Sequence, residues 1–376
     1  IVLALILKYP LFEFGQRYAI ATGNSLLEGY RRLGKWSLVL YLILTLGSMF
    51  TVLAAVTAMT AGLCIHLTGL ELSLTLWSAI LIGVGSLILV IGRYPLLDKA
   101  IKVVMVLLAI STVAATIVIL PKLRIAAHWG PVGLKDIGFI VGLIGWMPTG
   151  MDVSVWQSIW TLARKKETGY APTLKESLID FKIGYIGTGL FALMFCLLGT
   201  TVMFDKGIAF EASAGAFAGQ VIELYTKTLG EWSRPLIVLS AFTTMFSTML
   251  TVIDGFPRAL QLVGRRFRTA EDKKLVLERS GNSWDYWTWM GILAGGGMLI
   301  ISLYLKNLKS LVDLATTLSF LTAPILGFLT YKAVTAPWMP QECKPPPWLR
   351  GLALVGITFL TAFLLFFLYY RFLMGN

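Results

Sequence analysis

The chain has 376 residues, of which 57% are hydrophobic and 14% charged, with a mean hydropathy of +0.77 and a net charge of +12. Soluble domains carry about 25% charged residues, so this composition excludes an ordinary water-soluble globule. The positive charge invites a nucleic-acid partner, but its distribution along the chain excludes that class and fits a lipid bilayer instead.

Apolar runs near 20 residues, each long enough to cross a bilayer, recur at about 1–19, 37–63, 72–92, 95–120, 134–162, 179–203, 233–262, 284–305, 311–333 and 348–372. No long polar linker separates them, so residues 1–376 are expected to form a single transmembrane domain. The first run starts at Ile1 with no basic region or small-residue cleavage site before it. A signal peptide needs both, so the run reads as a helix entered partway, and further sequence upstream is expected.

The second run holds small and hydroxylic residues from Thr45 to Thr57 and no acid. Tight helix packing accounts for such a stretch.

The fifth run contains Gly145-Trp146-Met147-Pro148-Thr149-Gly150-Met151-Asp152. Pro148 lacks an N–H and glycines flank it, so an unbroken helix is not expected there. Asp152 adds a carboxylate, which costs about 3 kcal/mol at the centre of a membrane. Unwound backbone at that depth persists only where protein buries it or a watery cavity meets it. Broken helices with bare carbonyls and a carboxylate are how secondary transporters build ion or substrate sites. The alternative is a proline kink whose Asp caps the second half-helix.

Between the sixth and seventh runs, Glu211–Thr228 is mildly amphipathic and predicts a helix lying on the outer surface. The seventh run carries Thr243, Thr244, Ser247, Thr248 and Thr251 on one stripe, then Asp254 beside Gly255, Pro257 and Arg258. Asp254 reads as an end-of-helix residue in a local ion pair. Gly295, Gly296 and Gly297 in the eighth run suit close helix packing. The ninth run has Thr316, Thr317, Ser319 and Thr322 before Pro324. Hydroxyls three apart share a face and either line a cavity or bond back to their own helix.

If the first run ends in the cytoplasm and the loops alternate, 22 of the 32 Lys and Arg residues fall on the cytoplasmic side and nine on the other, with Lys8 inside the first run. The bias follows the positive-inside rule and places the C-terminus outside a cell membrane crossed many times. One upstream helix would bring the count to eleven and the N-terminus to the cytoplasm. The basic cluster at 265–274 can bind anionic lipid, though topology alone explains it. Cys64, Cys196 and Cys343 lack metal-ligand spacing, and His66 and His128 fall in outside loops with no ligand partner in sequence. No phosphate-binding glycine loop, Ser-His-Asp arrangement or HExxH occurs, and nothing points to an enzyme or a cofactor.

Three stretches carry a resemblance. Leu7-Lys8-Tyr9-Pro10, with Arg17 through Gly23 and Leu26-Leu27-Glu28, resembles the end of the second helix of Nramp-type divalent metal transporters. Val252-Ile253-Asp254-Gly255-Phe256 resembles the end of their eighth helix, and Gly145 through Ser158 their broken sixth helix. Helix count, spacing and orientation agree along essentially the whole chain. The resemblance implies an all-α polytopic membrane protein with a LeuT-like fold of two inverted five-helix repeats plus one extra helix. Repeat one would cover about 1–121 without its first helix, repeat two about 134–333, and the extra helix about 348–372. Metal would bind between broken helices one and six.

The departures from the family pattern give a direction. The family's Met-Pro-His-Asn is not matched, because Thr149 follows Met147-Pro148. Pairing Met-Pro with Met-Pro keeps a thioether at Met147. Pairing Trp156-Gln157-Ser158 with the family's Leu-His-Ser puts Gly150 where the metal-binding Met sits and Asp152 at the first His; this needs no gap and is preferred. The third-helix acids linked to proton transfer have no counterpart in Thr45–Thr57, and the tenth-helix Gln aligns near Thr316. Thioethers select softer metals, while carboxylate, carbonyl and water suit magnesium and manganese. Magnesium keeps several waters, for which a glycine makes room. The pattern resembles the Nramp-related magnesium transporter branch. It implies Mg2+, and also Mn2+, as transported substrate, moving inward without obligatory proton coupling. Asp152, Gly150, Thr149, Met147 and Thr316 are the candidate metal residues. A proton-coupled transition-metal transporter, an organic-solute transporter on the same scaffold and a non-transporting membrane sensor are the alternatives.

Overall fold

We describe the protein from a computed structural model, in residues 1–91, 95–123, 133, 136–268, 283–304 and 307–374. Thirteen α-helices dominate these residues, and there is no β-strand among them. In chain order they are α1 (Val2–Thr22), α2 (Leu26–Leu33), α3 (Lys35–Thr68), α4 (Leu74–Ile91), α5 (Pro95–Ile119), α6 (Ile137–Trp146) and α7 (Asp152–Thr168). There follow α8 (Leu174–Val202), α9 (Ala214–Leu229), α10 (Arg234–Arg268), α11 (Trp284–Leu303), α12 (Leu308–Thr335) and α13 (Pro347–Tyr369).

The helix ends follow from local chemistry. The α8 start is a capping box in which Glu176 N donates to Thr173 Oγ1 and Thr173 N donates to Glu176 Oε2 at 2.8 Å, satisfying two amides that a helix start leaves orphaned. Ser213 caps α9 by accepting from Ala216 N. At the end of α1, Gly23 takes φ +66° and its N–H bonds Ala19 O at 2.9 Å, a left-handed stop that glycine enters without a Cβ penalty.

Among the described residues, eight helices are long and apolar enough to cross a membrane: α3, α4, α5, α8, α10, α11, α12 and α13. Ten crossing segments were expected. Of the other two, α1 carries Lys8, Glu13 and Arg17, all buried within the protein. The fifth segment is broken in two, and its residues 134–135 lie outside the described residues.

Helices α3, α10 and α12 are the most enclosed, whereas α4, α5, α8 and α13 turn most of their surface outward. That surface is apolar, with Leu87 and Ile91 on α4, Ile183 on α8 and Leu365 on α13 all exposed. Helix α3 packs along α10, α9, α11 and α12. The glycines of α11 permit its contact with α3: a Cβ on Gly296 would lie 2.2 Å from the ring of Phe50. Close packing is thus the use of that triplet.

The segment between α8 and α10 is helical as expected, but α9 is not simply laid on the surface. Ala214, Ala218, Ile222 and Tyr225 are buried, and Tyr225 Oη shares a 2.9 Å hydrogen bond with Thr112 of α5. His66 also has a partner, because its Nε2 lies 2.8 Å from Gly215 O and ties α3 to α9. His128 and residues 269–274 of the basic cluster lie outside the described residues.

Candidate functional site

The expected break is present. Helix α6 ends at Trp146, α7 begins at Asp152, and residues 147–151 between them are non-helical, with a cis peptide bond between Met147 and Pro148. The two half-helices lie on different partners, α6 along α12 and α7 along α1. Glycines make both contacts close. A Cβ on Gly145 would lie 2.3 Å from Thr316 O, and one on Gly15 would lie 2.2 Å from Ser154 O.

Asp152 is the first residue of α7 and is buried, at 4% exposure. The N-cap is Met151, whose side chain makes no capping bond, and Asp152 follows it in the first turn. Its Oδ1 has no hydrogen-bond partner. The N-terminal dipole of α7 offsets part of the cost of burying this charge. Tyr41 of α3 lies close enough to sense the Asp152 charge, with Thr45 and Trp156 next to Tyr41. Tyr41 Oη, Thr45 Oγ1 and Trp156 Nε1 are likewise buried without a hydrogen-bond partner. Polar atoms buried at this depth are costly unless they meet one another or another polar group.

The structure brings some of the candidate residues together. A Cβ on Gly150 would lie 3.8 Å from Ser319 Oγ and 4.0 Å from Asp152 Oδ2, so Gly150, Asp152 and Ser319 are neighbours. Ser319 Oγ accepts from Trp146 Nε1 at 2.8 Å, joining α12 to the end of α6. Met147 is buried in the break, and its N–H closes α6 on Leu143 O. Thr316 packs its backbone against Gly145 at the end of α6, while its hydroxyl bonds back to Val312 O at 2.8 Å and faces Gly142. Back-bonding also takes the α10 stripe, where Thr244, Thr248 and Thr251 each donate to the carbonyl four residues earlier.

Thr149 contributes its carbonyl, but not to empty space. Lys8, fully buried on α1, donates from Nζ to Ile144 O at 3.0 Å, Gly145 O at 3.2 Å and Thr149 O at 3.0 Å. Sequence reasoning placed Lys8 inside the first segment and assigned it nothing. A lone lysine in an apolar run, two residues before Pro10, was the signal.

Two adjoining cavities lead away from the break. One, of about 500 Å³, is lined by Pro148, Thr149 and Gln157 with Phe12, Gln16 and Asp180. The next, of about 540 Å³, shares Gln16 and Asp180 and continues past Trp160 to Arg164 and Lys165 near the end of α7. The two cavities together reach from the break to that end of the bundle. Among the described residues, no three His, Cys, Asp or Glu side chains come together as a ready-made metal cage.

Asp254 sits inside α10, not at its end, since the helix runs through Pro257 to Arg268. Its carboxylate pairs with Arg258 Nε at 2.7 Å and accepts from Tyr286 Oη at 2.7 Å and Trp160 Nε1 at 3.0 Å. The local ion pair was expected; the links to α7 and α11 were not. Asp254→Ala would strand three donors. Removing one partner of a buried pair costs about 3–5 kcal/mol, and we expect the variant to lose its monodisperse form in detergent on mild heating, while Tyr286→Phe retains it.

Over residues 1–370 the sequence matches the family described as Nramp, natural resistance-associated macrophage protein-like. The chain belongs to the Nramp family. An uncharacterized protein of Pasteurella multocida strain Pm70 is similar, 32% identical over 376 residues that cover 98% of this chain and 83% of that protein. Nramp proteins are transporters of divalent metal ions, so this member is a multi-pass membrane protein of a metal-transport family, and the buried break lies in the segment that resembles the Nramp sixth helix.

Proposed function

We propose that this Nramp protein carries Mg2+, and also Mn2+, inward down the electrochemical gradient without obligatory proton coupling. One observation carries the reading: the Asp152 carboxylate is buried beside Gly150 at the helix break with an unpartnered Oδ1. A carboxylate with hydroxyls, carbonyls and room for water suits a hard cation that keeps part of its hydration shell. Asp152 attracts the ion, Gly150 gives the space, Ser319 offers a neutral oxygen, and Thr149, whose carbonyl Lys8 holds, borders the site. Thr316 would act through a bridging water, and Met147 would be a rim residue, not a ligand. The fold we infer for this work is the LeuT-like arrangement of inverted repeats in the single domain 1–376, with the route past Gln16 and Asp180 as the cytoplasmic exit and the C-terminus outside.

The test is uptake into proteoliposomes with a luminal pH reporter beside a magnesium reporter. We expect Mg2+ entry that responds to membrane potential while the lumen stays at constant pH. Proton entry in fixed ratio to metal contradicts the uncoupled reading and favours a proton-coupled transition-metal transporter. No metal entry of any kind shifts the reading to an organic solute or a sensor.

A further inference from the structure

The break contains a cation that belongs to the protein. An ammonium has three N–H donors and no lone pair. Lys8 Nζ directs its bonds to three carbonyl oxygens, Ile144 O, Gly145 O and Thr149 O, at 3.0–3.2 Å. A neutral amine would turn its lone pair to one of those oxygens, so the acceptor set selects the charged form. Among the described residues, no carboxylate lies within ion-pair distance of Lys8. Two of its three acceptors belong to the last turn of α6, whose C-terminal dipole is negative. Asp152 makes the mirror arrangement, a carboxylate at the positive N-terminus of α7. The two halves of the broken segment thus each face a buried side chain of opposite sign, on opposite sides of residues 147–151.

We propose that the Lys8 ammonium is a tethered monovalent cation seated in the carbonyl cage at the end of α6, and that it keeps free cations out of that cage, so that a transported ion is held on the Asp152 side of the break. Unwound carbonyls in a membrane protein are a ready seat for Na+ or K+, and a transporter with two cation seats would couple or leak. With Lys8 in one of them, a single seat remains. Lys8 is a positioning residue in this account, since it acts through the Ile144, Gly145 and Thr149 carbonyls and need not touch the metal. The proposal rests on the transporter reading for its effect on flux, but occupancy of the cage by Lys8 can be tested without flux.

The experiment uses Lys8→Ala, which empties the cage, with thermal unfolding in detergent and metal flux in proteoliposomes as separate readouts. A ligand that binds only the folded state raises the melting temperature with its concentration. We expect ammonium, methylammonium or K+, compared with choline, to stabilise Lys8→Ala and to leave the parent protein unmoved. We also expect divalent flux of Lys8→Ala in choline medium to fall at least tenfold and to recover with methylammonium. A Lys8→Ala protein that folds but gains no stability from any small cation overturns the proposal. So does a variant with undiminished flux and no new sensitivity to monovalent cations. If wild-type flux is absent while the cation-dependent stabilisation appears, the cage assignment stands and the transport reading fails. Should Lys8→Ala fail to fold, Lys8→Met and Lys8→Arg decide: loss of flux in Lys8→Met with retention in Lys8→Arg supports a requirement for charge, and equal flux in both overturns it.

Discussion

Asp152→Asn abolishes metal transport and leaves the fold intact. Losing a supporting residue around a metal typically costs 10–100-fold in affinity or activity, and loss of the one carboxylate at the break should reach the upper end, about 100-fold in uptake at low metal. Stability moves the other way. The carboxylate is buried with Oδ1 unpartnered. An amide of the same shape is cheaper to bury than a charge. Thermal unfolding in detergent and uptake in vesicles, measured on the same preparation, should therefore diverge. A variant that loses both would place Asp152 among the structural residues.

Gly15→Ala has the second large effect, from sterics alone. The added Cβ would lie 2.2 Å from Ser154 O and 3.0 Å from Ser154 C. Those atoms are backbone, so no side-chain rotation relieves the clash, and α1 and α7 must separate. Overpacking of this kind costs about 1–3 kcal/mol. The shift falls two residues from Asp152, and a site displaced by about 1 Å loses function even when it remains assembled. We expect lower thermal stability together with reduced flux. Gly291→Ala, where an added Cβ meets no atom within 4 Å, should change neither by more than about 0.5 kcal/mol.

Much of the fold was legible because a membrane leaves few options. A backbone in lipid must satisfy its own hydrogen bonds, so apolar length alone located α3, α4, α5, α8, α10, α11, α12 and α13. The break was legible because Pro148 and its flanking glycines fail as helix formers. Proline alone is a weaker sign: Pro10, Pro257 and Pro324 all lie inside continuous helices, which is why Asp254 read as a helix end and proved to be mid-helix. Hydroxyl stripes carried less than their spacing suggested, since a threonine can satisfy itself four residues back, as Thr316, Thr248 and Thr251 do.

Long-range partners were not legible. Nothing in the local pattern of α1 says that Lys8 meets carbonyls 136 residues away, or that Trp146 of the break bonds Ser319 of α12. Those contacts depend on how α6 and α7 lie against α12 and α1, which is a property of packing and not of periodicity. For the same reason Thr316 was a reasonable candidate from its hydroxyl and alignment, while Ser319, one turn further on, is the residue that reaches Gly150.

Mg2+ entry into proteoliposomes, with parent and Asp152→Asn proteins side by side and Mn2+ and Ca2+ as controls, tests the central claim most directly. Saturable entry of Mg2+ and Mn2+ in the parent, exclusion of Ca2+, and loss of both fluxes in a folded Asp152→Asn variant are the predicted result. Entry of Mn2+ without Mg2+, or undiminished Mg2+ entry through Asp152→Asn, would contradict a hard-cation site at the break.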